Sequence, residues 1–184
     1  MREPFLRFVA LLPAFRANSI SGEFLIAGGG IGFLVDQTPM ASPSVFNFFQ
    51  PDFAPNGPVA DAGLAAPEFQ ITTDASVTWM ANIITALSLD EASVTFNTAF
   101  FRPGSLDQAD AQIRLDLSEE LAYASDIDAL LDHLDLKLTY GTLSAPTRKA
   151  IRTLLATPGL DDPNLRSRLA MHLILMSPDY AVAR

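Results

Sequence analysis

Ser125-Asp126-Ile127-Asp128-Ala129-Leu130-Leu131-Asp132-His133-Leu134-Asp135-Leu136-Lys137-Leu138 decides the fold class. Ile127, Leu130, Leu131, Leu134 and Leu138 recur at intervals of three and four, the spacing that gathers apolar side chains on one helix face. Ser125 is placed as an N-cap, Asp126 and Asp128 lie where a carboxylate meets the positive end of the helix dipole, and Gly141 is a natural stop. Working outward, Ser144 caps a second helix with Ile151, Leu154 and Leu155 inward and Arg148, Lys149 and Arg152 outward, ended by Pro158 and Gly159. A third helix starts near Pro163, ahead of which Asp161-Asp162-Pro163-Asn164 reads as a helix start. It puts Leu165, Leu169, Leu173 and Met176 on its buried stripe before Pro178. Short connections make residues 125–178 a small antiparallel bundle, the clearest helical region of the chain.

Toward the N-terminus the pattern loosens. Thr73 is a candidate N-cap for a largely buried helix over Asp74–Leu87, with Val77, Met80, Ala81, Ile84 and Leu87 on one stripe, Ile83 beside it, and Trp79 and Met80 assigned to the core. A first helix spans Arg2–Ala17, with Pro4 suited to its first turn, Phe5, Phe8, Val9 and Leu12 on one face, and Pro13 expected to kink or end it. Residues 18–72 are rich in Gly, Pro, Ser and Asn yet too apolar for a plain linker, which predicts ordered loop laid over a helical core and pinned by Phe46, Phe48, Phe49 and Phe53. Residues 88–118 read as short strands or extended loop, with Val94, Phe96, Phe100 and the alternation Gln112–Leu117. The expected architecture is mainly α: one bundle-like domain over 1–184, a long ordered Pro/Gly/Phe-rich loop region at 18–72, and at most short strands.

Composition bounds the function. A chain of 184 residues, 49% hydrophobic and 18% charged, buries roughly 70% of its unfolded surface, which excludes disordered and fibrous classes. With no cysteine, there is no disulfide framework, thiolate zinc site or cysteine nucleophile. A net charge of −9 opposes phosphate backbones and anionic membranes, so no nucleic-acid partner is expected. The longest uncharged apolar stretch, Phe24–Val35, is twelve residues, short of the ~20 a spanning helix needs. Phe8–Phe15 is not a signal peptide, since Glu3 and Arg7 precede it and Arg16 occupies the cleavage region. Between Ala17 and Phe101 there are eight acids and no Lys or Arg. From Lys137 onward seven bases meet three acids, a surplus read first as internal pairing with the acidic middle and second as a docking face at Arg148, Lys149 and Arg152.

Motifs for catalysis are absent: there is no Gly-Xaa-Ser-Xaa-Gly elbow, His-Glu-Xaa-Xaa-His, EF-hand loop or phosphate loop with its lysine. Gly28-Gly29-Gly30-Ile31-Gly32 lacks the lysine and the strand-to-helix setting of a phosphate cradle. His133 and His172 lie on different helices and read as surface or core-edge residues, with Asp132 aimed away from His133. Asp36, Asp52 and Glu68 share the loop region, where a hard-cation site is physically possible although no spacing forces them together. No cofactor is implied.

Three segments carry a family resemblance. Arg2-Glu3-Pro4-Phe5-Leu6-Arg7, then Ser42-Pro43-Ser44-Val45-Phe46-Asn47-Phe48-Phe49-Gln50-Pro51-Asp52-Phe53 with Ala66-Pro67-Glu68-Phe69-Gln70-Ile71, and Leu173-Ile174-Leu175-Met176-Ser177-Pro178-Asp179-Tyr180 resemble the C-terminal portion of the bacterial domain-of-unknown-function 1800 family. The stretches Phe24–Val35 and Ala92–Phe101 match no family pattern. The resemblance implies longer relatives, an exported setting in the periplasm or cell envelope, a gene neighbour of the family numbered 1501 as a possible protein partner, and no catalytic residues to carry over. It also implies that the chain is a truncated frame, a gene fragment or part of a split protein.

Within the central signature, the aromatics bury large area, Asn47 can bond backbone in a turn, and the flanking prolines restrict the chain to extended or turn conformations. Asn47, Gln50 and Asp52, with Glu68 and Gln70 from the other side, are candidate ligand contacts at an aromatic rim. The resulting expectation is a non-enzymatic module that binds a protein partner or joins an envelope assembly. The rival is the C-terminal part of a carboxylate- or metal-dependent hydrolase-like enzyme using Asp52, Glu68 or Asp36, and a third alternative is a fragment with no function of its own.

Overall fold

The computed structural model describes residues 2–22, 24, 32, 35–89, 110–111 and 113–182. The apolar periodicities fold as α1 (Pro4–Val9), α2 (Leu11–Ala14), α3 (Pro58–Asp61), α4 (Asp74–Leu89), α5 (Ser118–Tyr123), α6 (Ile127–Thr139), α7 (Ala145–Leu155), α8 (Pro163–Leu175) and α9 (Pro178–Ala181), with a 3-10 turn at Pro67–Ile71. Among the described residues β pairing is confined to two isolated bridges, Asn18 with Arg114 and Ser44 with Asn47. The architecture is therefore mainly helical, as expected. The glycine run at 28–31 and the segment 90–109, with its anticipated strand positions Val94, Phe96 and Phe100, lie outside the described residues.

Helix α6 follows its pattern: Leu130, Leu131, Leu134 and Leu138 are buried and Ile127 packs against them, each full burial contributing about 2 kcal/mol. Its cap is not Ser125. Asp126 takes the N-cap position, and its Oδ1 accepts from the backbone N–H of Asp128 at 2.9 Å and of Ala129 at 3.1 Å. A carboxylate there satisfies two orphan donors and also opposes the dipole, which a hydroxyl does not. The helix ends with Tyr140 and Gly141 both left-handed, at φ 57° and 78°, a geometry that glycine adopts without steric cost.

Helix α8 is the hub, with α4, α5, α6, α7 and α9 all packed on it. The stripe expected at Leu165, Leu169, Leu173 and Met176 is out of phase. Leu165 and Met176 are exposed, Leu169 and Leu173 are half-buried, and the core positions are Ser167, Ala170, Met171, Ile174 and Leu175. The small side chains at 167 and 170 let neighbouring backbones approach closely. On α7, Ile151 and Leu155 point into the core while Leu154 is exposed. Ser144 occupies its N-cap position but makes no cap bond, because its hydroxyl donates to the buried Asp179 carboxylate at 2.7 Å.

In α4 the capping is reciprocal. The Ser76 N–H donates to Thr73 Oγ1 at 3.1 Å and the Thr73 N–H donates to Ser76 Oγ at 2.9 Å, a capping box with serine in the usual Glu position. Met80, Ile83, Ile84 and Leu87 are buried, but Val77 and Trp79, expected inside, are exposed, Trp79 at 41%. They lie between buried Ser76 and Met80, on the face of the helix turned away from the core. The first predicted helix is broken in two at Ala10, since the Pro13 ring collides with the carbonyl four residues back, at Val9. Phe8, Leu11 and Phe15 are nonetheless fully buried in the common core.

The two terminal signature segments meet. The Arg2 N–H donates to the Ala181 carbonyl at 2.8 Å, the Tyr180 hydroxyl donates to the Arg7 carbonyl at 2.6 Å, and the Arg2 guanidinium lies between the rings of Tyr140 and Tyr180 at 5.3 and 5.1 Å. Buried Gln37 clips the loop region to α1, accepting from the Phe5 N–H at 2.9 Å and donating to Glu3.

Candidate functional site

Two regions concentrate the chemistry. The first joins the chain after α2 to α5 and α6. Arg16, in a left-handed turn, reaches Asp116 at 3.0 Å and Glu119, and its Nη2 donates to Ser118 Oγ at 2.9 Å. Lys137 on α6 donates to Glu119 Oε2 at 2.8 Å and to Glu120 Oε1 at 2.6 Å, with its ammonium 5.1 Å from the Phe15 ring centre. His133, one turn earlier, places Nε2 2.9 Å from the same Glu120 oxygen and stacks on Tyr123 at 4.8 Å. Glu120 is fully buried and its Oε2 has no hydrogen-bond partner among the described residues. Lys137 holds Glu119 below the usual carboxylate range, the Ser118 N–H does the same for Asp116, and the two glutamates raise Lys137 against the pull of desolvation.

The sequence alone reads His133 as a surface or core-edge histidine. Its carboxylate partner arrives from another helix, thirteen positions earlier, where only spatial packing makes the pairing visible. The one local signal is that His133 and Lys137 are four apart and so share a helix face. His172 is half-buried with Nδ1 2.8 Å from the Ser88 hydroxyl, and burial lowers its proton affinity. This is not an activated nucleophile: Ser88 is buried and its Oγ is also 2.6 Å from the Ile84 carbonyl, so its proton is committed to the backbone.

The second region holds the central signature. Ser44–Asn47 is a tight turn closed by the Asn47 N–H on the Ser44 carbonyl at 3.2 Å, with Asn47 at φ 70°. Val45 and Phe46 are the central residues of that turn and therefore project outward, 94% and 60% exposed, where Phe46 had been expected as a pin. Phe48, Phe49 and Phe53 are half-buried and stand outside the main core. Gln50 and Gln70 do come together, but the Gln70 side chain is spent on the Gln50 N–H at 2.7 Å. Asp52 is exposed and Glu68 half-buried. Asp36, left-handed at φ 57°, accepts from Thr73 Oγ1 at 2.9 Å. The only described set of three acid or histidine ligands that converges is Glu119, Glu120 and His133; Asp36, Asp52 and Glu68 do not form one.

Of the basic trio, Arg148 pairs with Asp132 at 2.8 Å and Arg152 with Asp128 at 2.9 Å, both on α6, while Lys149 is exposed with no ion pair among the described residues. The C-terminal surplus of bases is thus spent largely on internal pairing. Gly32, the described member of the glycine run, packs so tightly that a Cβ would fall 2.6 Å from Thr38 Cα and 2.7 Å from the Gln37 carbonyl oxygen. Close backbone approach accounts for that glycine. No helix is long and apolar enough to cross a membrane among the described residues.

A family model described as "Protein of unknown function (DUF1800)" matches residues 1–182. No curated protein and no solved structure matches the chain.

Proposed function

The chain belongs to the DUF1800 family, of unknown function, across residues 1–182, and we propose, with the exported setting that the resemblance implies, that it is a non-catalytic docking module of a periplasmic or cell-envelope assembly. The observation that carries this reading is the concentration of exposed large apolar side chains in residues 40–79: Met40, Val45, Phe46, Leu64, Phe69, Val77 and Trp79. Exposed apolar side chains gathered into one patch mark a docking surface, and this segment is the one proposed to form it. The same stretch has no Lys or Arg and exposes Asp52, Asp61 and Asp74. The complementary partner is therefore a protein surface with apolar pockets rimmed by lysine or arginine.

Covering five such side chains yields about 10 kcal/mol gross. Association costs at least ~4 kcal/mol, which leaves at most about 6 kcal/mol, an affinity no tighter than the tens of micromolar and suited to one contact within a larger assembly. The product of the neighbouring gene of the 1501-numbered family is the first partner to test. The experiment is co-elution of the two full-length proteins in size-exclusion chromatography, with wild type against the double substitution Val45→Asp, Phe46→Asp. Both positions are exposed turn residues, so the fold and its melting temperature stay unchanged while co-elution is lost. A complex indifferent to both substitutions, or no complex at all, contradicts this docking face.

A further inference from the structure

We propose that Glu119, Glu120 and His133 form a site for a divalent cation of the zinc class, in which the Lys137 ammonium is a resident cation that the metal displaces. This site lies at the α5–α6 junction and does not depend on the docking face. One imidazole and two carboxylates are donors that suit zinc, and three protein ligands with an open fourth position is a common zinc arrangement. One ligand atom from each residue lies within 4.8 Å of the other two. Three atoms so confined all lie within about 2.8 Å of a common point, and sub-ångström side-chain shifts bring them to roughly 2.1 Å from an ion placed there.

The independent observation is Glu120. Its carboxylate is fully buried and turned into the cluster through Oε1, which meets His133 and Lys137, yet Oε2 has no hydrogen-bond partner among the described residues. A buried carboxylate oxygen without a hydrogen bond is costly, and a cation bound by both oxygens removes that cost. Lys137 already marks the place as one that attracts positive charge, since its Nζ bonds both glutamates. Lys137 also lines a cavity of about 390 Å³ bordered by Ala10, Pro13, Tyr140 and Tyr180, with Arg2 on its wall, so a displaced ammonium has open space beside it, at the cost of nearing one other cation. Tyr123, stacked on the imidazole, keeps the His133 ring in its plane during that exchange.

The test is a titration of the full-length, chelator-stripped protein with Zn²⁺, followed by NMR of the histidine rings. The chain has two histidines, so His172, held by Ser88, serves as an internal control. The His133 resonances are expected to shift and saturate at one equivalent of zinc while those of His172 stay in place. Mg²⁺ leaves both unmoved, because a hard cation avoids imidazole. Glu120→Gln weakens zinc binding by at least about tenfold, and Lys137→Met, which removes the competing charge, tightens it by about tenfold. Immobile His133 resonances at a large excess of zinc overturn the site. Unchanged or weaker binding in Lys137→Met overturns the displacement. Should Glu120→Gln fail to fold by circular dichroism, the wild-type titration and Lys137→Met decide the matter.

Discussion

Removing one oxygen atom, in Tyr180→Phe, tests how the two ends of the fold are joined. The Tyr180 ring is 1% exposed and its hydroxyl donates to the Arg7 carbonyl at 2.6 Å, so phenylalanine keeps the packing and deletes one buried hydrogen bond, at a cost of about 1–2 kcal/mol near neutral pH. Burial also pushes the phenol up to about 12 from its ordinary 10, against the opposing pull of Arg2 and Arg7. Between those two values the unfolded chain holds fewer protons than the folded one, so stability falls as pH rises, by up to about 1.4 kcal/mol per pH unit. Across the window that is about 3 kcal/mol, present in full below pH 10 and lost as the folded phenol ionises. Tyr180→Phe has no such loss. Urea unfolding curves measured at intervals from pH 8 to 12 should show the wild type more stable at first, the gap vanishing partway between pH 10 and 12, and Tyr180→Phe the more stable of the two by pH 12. Lys137 titrates in both proteins and cancels in the difference. A constant gap across that range would refute the coupling between burial and the phenol. Phenolate absorbance gives a second readout: with three tyrosines in the chain, the Tyr180 share of the signal should appear only near the top of that range or together with unfolding.

Two further predictions separate the sequence reading from the structure. Asp126→Ala should cost about 1 kcal/mol in chemical denaturation, whereas Ser125→Ala should cost almost nothing; equal effects would return the cap of α6 to Ser125. In α8, Ile174→Ala should cost about 2–5 kcal/mol and Leu165→Ala far less, and the reverse order in thermal melts would restore the original stripe.

The contrast between α6 and α8 shows what makes a helix legible. In α6 the apolar positions are interrupted by Asp128, Asp132, Asp135 and Lys137, so only one face can be the core. In α8 leucines, isoleucine and methionines occur all round from Leu169 to Met176, and no single phase is marked, because a helix covered on several sides needs apolar residues on several sides. The N-terminal break was visible in advance, since Pro13 acts through covalent geometry that no tertiary contact can overrule. Phe46 and Trp79 misled for the opposite reason: hydropathy records a preference for burial, not the presence of a neighbour to provide it. The acid cluster was the least legible feature. Nothing in Ser118-Glu119-Glu120-Leu121 distinguishes the buried carboxylate from the exposed one beside it; the difference is made by α6, whose His133 and Lys137 face that junction.

The bond between Tyr180 and Arg7 spans 173 positions, and that separation has a consequence for biosynthesis. At ~5–20 residues per second, a ribosome needs roughly ten to thirty seconds to deliver Tyr180 after Arg7 has been made. Throughout that interval Phe8, Leu11 and Phe15 have no completed core to enter, since α6, α8 and α9 are all made later. Of the segments that build this core, the one holding Phe8, Leu11 and Phe15 thus waits longest for its neighbours, and until α9 is made those three side chains are open to contacts other than their own.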